Sequence, residues 1–160
     1  MRAALWLQFN DDRRNNTMLA AIVLGTQRYG HRLLHDGRNK GLRWAIYKIV
    51  DIVVLRVIAS CEIPAGTVIG RGVKLEHAAR GVIFNHGAVV EDDALIFHDV
   101  TLSWRSRIGA GSTLYPGTRV LPSIEVGAGC TIGANSVVTR NIPAGSTAAG
   151  APARVLRSSD

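Results

Sequence analysis

The amino-acid sequence predicts a mainly β protein, a left-handed parallel β-helix preceded by a small α-helical region. Three observations lead to this fold class. From Ile63 to Val138 an apolar residue recurs every six positions, with a single step of nine. A small or apolar residue follows each of these positions four places later, and 17 glycines are available for tight turns. Before residue 60 the apolar spacing is three or four instead, which is typical of helices.

We expect the chain to divide into a helical region at 1–60, a β-helix at 61–140 and a tail at 141–160. Thr17 can cap a first helix whose apolar positions keep helical spacing as far as Leu33. Asp36-Gly37 and the Asn-Lys-Gly run at 39–41 are typical of a break after it.

A second helix is expected over the apolar stretch at 42–58. Its length of 17 residues and its charged residues Lys48, Asp51 and Arg56 argue against a membrane span. The sequence predicts that both helices are amphipathic and pack on a neighbouring element. The alternative is peripheral contact of residues 17–58 with the inner, anionic face of a membrane, through their basic and apolar side chains.

From Ile63 onward, each six-residue unit predicts a short strand and a turn, with three units to a triangular coil. Anchor side chains should point into the prism, while the residue four places later fills the narrow space beside a corner. Coils stack at the strand spacing of about 4.8 Å, so that stability comes from stacking. The anchor positions are Ile63, Ile69, Leu75, Phe84, Val90, Ile96, Leu102, Ile108, Leu114, Val120, Val126, Ile132 and Val138. The corner positions are Thr67, Val73, Ala79, Ala88, Ala94, Val100, Ser106, Ser112, Thr118, Ile124, Cys130 and Ser136.

The charge distribution argues against a nucleic-acid-binding protein. Of the formal net charge of +7, most belongs to residues 1–60, where ten Lys and Arg face four Asp and Glu; residues 61–160 hold nine against eight. The two cysteines, Cys61 and Cys130, have no metal-binding spacing, and we expect reduced thiols packed as small apolar groups. No secretory signal is recognised at the start of the sequence, and a cytoplasmic location fits.

The repeat register predicts where a functional site lies. Residues three units apart share one column, and this places His77, His98, Pro116 and Ala134 along a single edge of the prism. The surplus of three residues between two anchors falls just after His77, where we expect the backbone at 78–81 to bulge outward. This edge is the predicted active site.

The β-helix also resembles a known family, the hexapeptide-repeat acyltransferases. The run from Glu62 to His77 is similar to the opening motif of serine acetyltransferases and of the related polysaccharide and sugar O-acetyltransferases. The resemblance covers residues 62–156 and continues in order through the Asp-Val-Thr-Leu, Ile-Glu-Val-Gly, Ile-Gly-Ala-Asn-Ser-Val-Val and Ala-Gly-Ala-Pro-Ala-Arg motifs.

What the resemblance implies is an O-acetyltransferase that uses acetyl-CoA as co-substrate and no metal. His77 then matches the catalytic base, and Glu62 matches the acid that orients it, which in the family is more often Asp. A His near neutrality can take the proton of a hydroxyl that attacks a thioester. The expected acetyl-CoA contacts are His98, Ser103, Trp104, Pro116, Gly133, Ala134 and Arg154. The expected acceptor contacts are Glu76, Asn85 and His86.

Two departures from the family pattern bear on the acceptor and the co-substrate. Serine acetyltransferases carry a long loop after the Val-Thr-Leu motif, whereas the step from Leu102 to Ile108 leaves no room for one. We therefore expect a sugar or polysaccharide hydroxyl as acceptor, with serine as the alternative. Pro116 has no N–H to offer to pantetheine.

The resemblance also implies a homotrimer with its sites between subunits. In this arrangement the tail would fold back along the groove and bring Arg154 and Arg157 toward the CoA phosphates. Two other functions share the predicted fold. A γ-carbonic-anhydrase-like metal enzyme needs three histidines that converge on one zinc ion. His77, His86 and His98 are present, but only His77 and His98 share a column, and His86 is expected on another face. A non-catalytic β-helix scaffold would lack acetyl-CoA binding.

Overall fold

A computed structural model describes residues 2–35 and 41–158, with side chains of the first helix from residue 8 onward. Helix α1 spans Arg2–Asn15, α2 spans Met18–His35 and α3 spans Gly41–Asp51, continued by a π-helix at Ile52–Ile58. The break expected at 36–40 lies outside the described residues. Thr17 caps α2, because its Oγ1 accepts a hydrogen bond from the Ala20 amide at 3.3 Å. No helix in the described ranges is both long and apolar enough to cross a bilayer.

Helix α1 was not predicted, because its sequence lacks a continuous apolar stripe. Tertiary contacts stabilise it instead. Asp12, at its C-terminal end, forms a buried ion pair with Arg28 of α2, with Nε–Oδ2 at 3.0 Å and Nη2–Oδ1 at 3.1 Å. Burial raises the pKa of the Asp12 carboxyl, while the hydrogen bonds and charge of Arg28 act in the opposite direction.

Polar side chains of the helical layer cover the open end of the first coil of the β-helix. Arg28 donates to the carbonyl oxygens of residues 69 and 70, both at 2.8 Å, and Gln27 Nε2 donates to the residue 67 carbonyl at 2.7 Å. Asn16 Nδ2 donates to the residue 73 carbonyl, and Asn16 Oδ1 accepts from the residue 75 amide at 2.7 Å. Backbone groups that have no coil beneath them are thereby paired, which avoids the cost of unsatisfied buried polar groups.

The remainder forms the predicted parallel β-helix. Its strands are β1 Val68–Ile69, β2 Lys74–Leu75, β3 Ile83–Phe84, β4 Val89–Val90, β5 Leu95–Ile96, β6 Thr101–Leu102, β7 Arg107–Ile108, β8 Thr113–Leu114, β9 Arg119–Val120, β10 Glu125–Val126, β11 Thr131–Ile132, β12 Val137–Val138, β13 Thr147–Gly150 and β14 Ala153–Arg157. The three sheets have the strand orders β1-β4-β7-β10, β2-β5-β8-β11-β13-β14 and β3-β6-β9-β12, and all pairs are parallel except β13–β14.

The core consists of the residues that the six-residue period selects. All thirteen anchors are buried, and so are all corner positions except Ile124, which is half-buried. Three corner hydroxyls donate to turn carbonyls at 2.6–2.8 Å: Ser106 Oγ to residue 103, Thr118 Oγ1 to residue 115 and Ser136 Oγ to residue 133. Thr67 Oγ1, in the first coil, is buried without a hydrogen-bond partner among the described residues. Side-chain size and the hydrogen bond to a turn carbonyl together explain why Ser and Thr suit those three corners.

The tail differs from the prediction that it folds back along the groove. Strand β13 continues the sheet of β11 as one more parallel strand, and β14 turns back to pair with it antiparallel. The tail therefore extends the end of the sheet rather than running along its length. An unpaired strand at the end of a sheet leaves backbone donors and acceptors free, and β14 pairs those of β13.

Candidate functional site

The broken repeat at His77 forms one corner of the prism. Between Leu75 and Phe84 the chain makes a left-handed turn over Glu76–Ala79, in which His77, Ala78 and Ala79 have φ of 52°, 59° and 62°. Left-handed backbone costs roughly 1–2 kcal/mol for each non-glycine residue, and packing holds it here, because Ala79 is fully buried. The excursion starts at Glu76, two residues before its predicted position, and it leaves the His77 side chain exposed.

The four residues predicted to share an edge do form one column. Strands β2, β5, β8 and β11 are in register, so His77, His98, Pro116 and Ala134 follow one another; we call them the histidine column. The His77 and His98 rings meet edge to face with centroids 4.8 Å apart. The Nδ1 atom of His98 is buried and has no hydrogen-bond partner within the described part of the chain. Two imidazoles therefore stand together at the broken repeat.

An aromatic pair beside the histidine column was not predicted. Phe97 and Tyr115 each precede a member of the column, and their rings stack with centroids 5.1 Å apart and planes 11° apart. The Phe97 ring is 6.3 Å from that of His77, and Tyr115 is 41% exposed. On the next coil the corresponding residue is Gly133, which leaves the far side of Tyr115 without a third side chain. The repeat register would have revealed this pair, since both residues immediately follow an anchor.

Glu62 and His77 are not hydrogen-bonded to each other in the described residues, contrary to the expected pair. Glu62 Oε1 instead accepts from Arg56 Nη2 at 3.2 Å, and the two side chains are 48% and 52% exposed. The reason is local: the π-helix ends at Ile58, and Arg56 lies close enough along the chain to reach the carboxylate. An exposed pair of this kind contributes about 0–1 kcal/mol, so it is readily exchanged for another partner.

Four other candidate residues lie at a different corner from the histidine column. Asn85 and Ser103 directly follow anchors of the third sheet, and His86 and Trp104 come next at the corner that leads into the first sheet. The Arg105 amide bonds to the His86 carbonyl, and the Arg105 guanidinium lies 4.3 Å from the Trp104 ring centroid. Within one chain these residues lie apart from the histidine column, so their assignment to the same site stays a prediction that requires a neighbouring subunit.

The remaining candidates lie on the sheet that leads to the histidine column. Glu76 is half-buried at the start of the excursion. Arg154 pairs with Ala149 across β13–β14, at the far end of the same sheet, and its side chain is exposed. Because directly paired residues in antiparallel strands project to the same side, Arg154 shares the outer face on which Gly133 and Tyr115 lie.

The cysteines are buried free thiols, as predicted. Burial raises the pKa of the Cys61 thiol to about 12, and the charge of Asp51 adds to this effect. Cys130 Sγ donates to the residue 143 carbonyl at 3.0 Å. Neither thiol is placed as a nucleophile.

The described residues contain no group of three His, Cys, Asp or Glu side chains arranged to hold a metal ion. His86, the third histidine of the β-helix, lies at the other corner, where its Nδ1 is 3.1 Å from the position that a Cβ on Gly66 would take. This geometry gives the metal-enzyme alternative no support.

Comparison with known proteins places the chain among hexapeptide proteins. The family described as bacterial transferase hexapeptide (six repeats) matches residues 105–140. Serine acetyltransferase of Escherichia coli K12 is 35% identical over 146 residues, which are 86% of this chain and 51% of that protein. The chain thus spans about half the length of the curated relatives that it matches.

Solved structures agree with the sequence relatives. A serine acetyltransferase in complex with CoA superposes with a TM-score of 0.77 at 28% identity, over 87% of this chain and 57% of the other. The Neisseria gonorrhoeae serine acetyltransferase in complex with serine gives a TM-score of 0.78 at 25% identity, over 88% and 58%. With the period, the buried anchors and these matches in agreement, the chain is a hexapeptide-repeat protein that is similar to serine acetyltransferases over most of its length.

Proposed function

We propose that this protein is an acetyl-CoA-dependent O-acetyltransferase with His77 as its general base. The observation that carries the proposal is the His77 imidazole, held out of the core where the repeat is broken, with His98 in edge-to-face contact. The relatives that match most of the chain are acetyltransferases, and one related structure holds CoA. No metal takes part in the proposed reaction.

In this reaction His77 accepts the proton of the acceptor hydroxyl while the oxygen attacks the thioester carbonyl carbon. The tetrahedral intermediate collapses with cleavage of the carbon–sulfur bond, and the imidazolium returns its proton to the departing CoA thiolate. The acetyl ester and free CoA thiol are the products, so atoms and charge balance. Glu62 is proposed to orient the His77 imidazole after its carboxylate has exchanged Arg56 for His77. This exchange costs little free energy, because the Arg56–Glu62 ion pair is exposed.

Serine is the first candidate acceptor, because the relatives named above are serine acetyltransferases and one related structure holds serine. These relatives favour serine over the sugar hydroxyl that the sequence analysis put first. A sugar or polysaccharide hydroxyl remains the second candidate. It is favoured by the turn between β6 and β7, which connects Leu102 to Arg107 without a loop.

The test is release of free CoA thiol from acetyl-CoA against a panel of serine, simple sugars, nucleotide-sugars and oligosaccharides. Saturable turnover with any hydroxyl acceptor supports the proposal, and the acceptor with the highest kcat/KM decides between serine and sugar. Absence of both turnover and acetyl-CoA binding by the folded protein would contradict it and favour a scaffold role.

We further propose a homotrimer in which acetyl-CoA lies between subunits. The candidate residues support this, because Ser103 and Trp104 lie at another corner from His98, Pro116, Gly133 and Ala134, and a neighbouring prism can bring the two corners together. In a closed ring each subunit uses the same two surfaces. Arg154, exposed at the end of the sheet, suits a CoA phosphate, while Glu76, Asn85 and His86 remain proposed acceptor contacts. Light scattering tests the assembly: an active, stable monomer of 17.2 kDa would contradict it.

The proposed location is cytoplasmic, where acetyl-CoA is the co-substrate and the two cysteines stay reduced. Peripheral contact of residues 17–58 with the membrane is part of the same proposal. Release of the protein from washed membranes by high salt, rather than by detergent, would support a peripheral attachment.

A further inference from the structure

Helix α3 and the π-helix after it are buried on one side and carry exposed apolar residues on the opposite side. Tyr47, Asp51 and Leu55, spaced by four residues, are buried against the rest of the helical layer. On the other side the apolar residues are exposed; we call them the apolar face: Leu42, Ile46, Ile49, Val50, Val53 and Val57. At 1.5 Å per residue they extend over about 24 Å. A contiguous apolar surface of this size indicates an interaction site rather than ordinary surface.

A groove between α2 and α3 continues the apolar face. It has a volume of about 550 Å³, and its walls include Phe9, Ile22, Tyr29, Ile46 and Val50. The polar groups at its floor, Asp12 and Arg28, are already paired with each other and with backbone carbonyls. The groove therefore suits an apolar occupant such as an acyl chain.

The exposed charges of the helical layer are mostly positive. Among residues 8–35 and 41–58 there is one exposed acid, Asp11, and four exposed cations that form no ion pair with an acid of the described residues: Arg13, Arg14, Arg43 and Lys48. Arg43 lies on α3 three residues before Ile46 and borders the apolar face, whereas the Lys48 ammonium lies over the Trp44 and Tyr47 rings, 5.4 and 5.9 Å from their centroids. Two copies of this surface would bring like charges together, whereas an anionic lipid surface complements them.

We propose that the apolar face docks on an anionic lipid bilayer, with α3 and the π-helix lying in the plane of the interface. This inference names the lipid class and the residues for the peripheral contact in the proposed function. It does not depend on acetyl transfer. An apolar helix face bordered by Lys and Arg binds in this way, through apolar burial and attraction to anionic headgroups together.

The experiment is co-sedimentation of the full chain with vesicles of phosphatidylcholine alone or mixed with phosphatidylserine. We expect binding to the mixed vesicles that weakens with salt. Ile49→Glu should reduce the partition coefficient at least tenfold, because it places a charge in the centre of the apolar face. Leu156→Glu is the matched control: Leu156 of β14 is 69% exposed and Ile49 is 63% exposed, and we expect this control to bind as the unaltered chain does.

Arg43→Glu tests the charge contribution separately and should weaken binding to the mixed vesicles at least fivefold, since one basic residue near an anionic surface is worth about that factor. Equal binding to both vesicle types, or unchanged binding of Ile49→Glu, would overturn the proposal. The proposal would also be overturned if the chain does not bind vesicles but self-associates, and if Ile49→Glu abolishes this self-association. The apolar face would then be the contact with a second copy of the chain. Acetyl transfer measured without vesicles should be the same for Ile49→Glu and the unaltered chain, so failure here is distinguishable from failure of the proposed function.

Discussion

Replacing His77 by Asn tests the proposed base without disturbing the backbone. The residue has φ of 52° and ψ of 36°, a left-handed conformation that Asn tolerates better than most residues. Alanine would lack this tolerance, and a change in folding could then be mistaken for a change in chemistry. The His77 side chain is exposed, so little packing is lost.

The expected loss follows from the role of the imidazole. General-base assistance is typically worth about 10²–10⁴ in rate, or roughly 2.7–5.4 kcal/mol at 1.36 kcal/mol per factor of ten. We expect kcat to fall by this factor while acetyl-CoA binding stays nearly unchanged. The centroid of the His98 ring is only 4.8 Å from that of His77, so His98 can supply part of the general-base assistance. We therefore expect the His77→Asn variant to lose kcat toward the lower end of this range. The double variant His77→Asn/His98→Asn should lose kcat toward the upper end.

The assay is thiol release at saturating acetyl-CoA, with circular dichroism to verify folding. His35→Asn is the matched control, because it makes the same substitution at an exposed histidine of α2 that lies outside the histidine column. If the folded His77→Asn enzyme retains kcat within about tenfold of the unaltered chain, His77 is not the general base in the sense used above.

Three further outcomes are expected. Glu62→Gln should keep a larger part of kcat than His77→Asn, because orientation contributes less than the base itself; equal losses in the same thiol-release assay would show that the carboxylate is indispensable. Arg28→Met should lower the free energy of unfolding by about 3–5 kcal/mol at pH 7, because it leaves the Asp12 carboxylate buried and unpaired. The folded-state pKa of Asp12 is raised above 3.8 by burial, and losing Arg28 raises it further, so this deficit should shrink as the pH falls toward 4; urea titrations at pH 7 and pH 4.5 that give equal deficits would contradict this. Cys61, with its pKa raised to about 12 by burial, should not react with a disulfide reagent at pH 8 until the chain unfolds, and rapid labelling of the folded protein would refute that.

The six-residue period was sufficient to predict the core, because in a β-helix the side-chain direction is fixed by position in the repeat. Phe84 and Ile132, far apart in sequence, occupy equivalent anchors for this reason. The same register separates Ser103 and Trp104 from His98, since they follow anchors on different sheets. Their assignment to one site came from the family resemblance and not from the column, and it stays a prediction.

Helix α1, the partner of Glu62 and the direction of the tail could not be predicted from the sequence, for physical reasons. Helix α1 is held on α2 by contacts that include the buried Asp12–Arg28 ion pair and the Arg32–Gln8 hydrogen bond, and a sequence does not show which of several polar residues will meet. The partner of Glu62 is decided by small differences between exposed side chains, Arg56 and others, that are each worth about 1 kcal/mol or less. The tail could pair with the end of the sheet or lie along its side, and nothing in the residues of β14 distinguishes these two arrangements.

The pairing of both ends of the β-helix has a consequence for solubility at high concentration. A stack of identical parallel coils is a template on which further strands can grow, as in fibrils, and growth needs only one exposed rung. Here Gln27, Arg28 and Asn16 pair backbone groups of the first coil, and β14 pairs antiparallel with the last parallel strand of one of the three sheets. Removing the helical layer or strand β14 would expose further unpaired backbone groups at an end of the β-helix. Other molecules could then add strands there, so both elements protect the protein against linear aggregation.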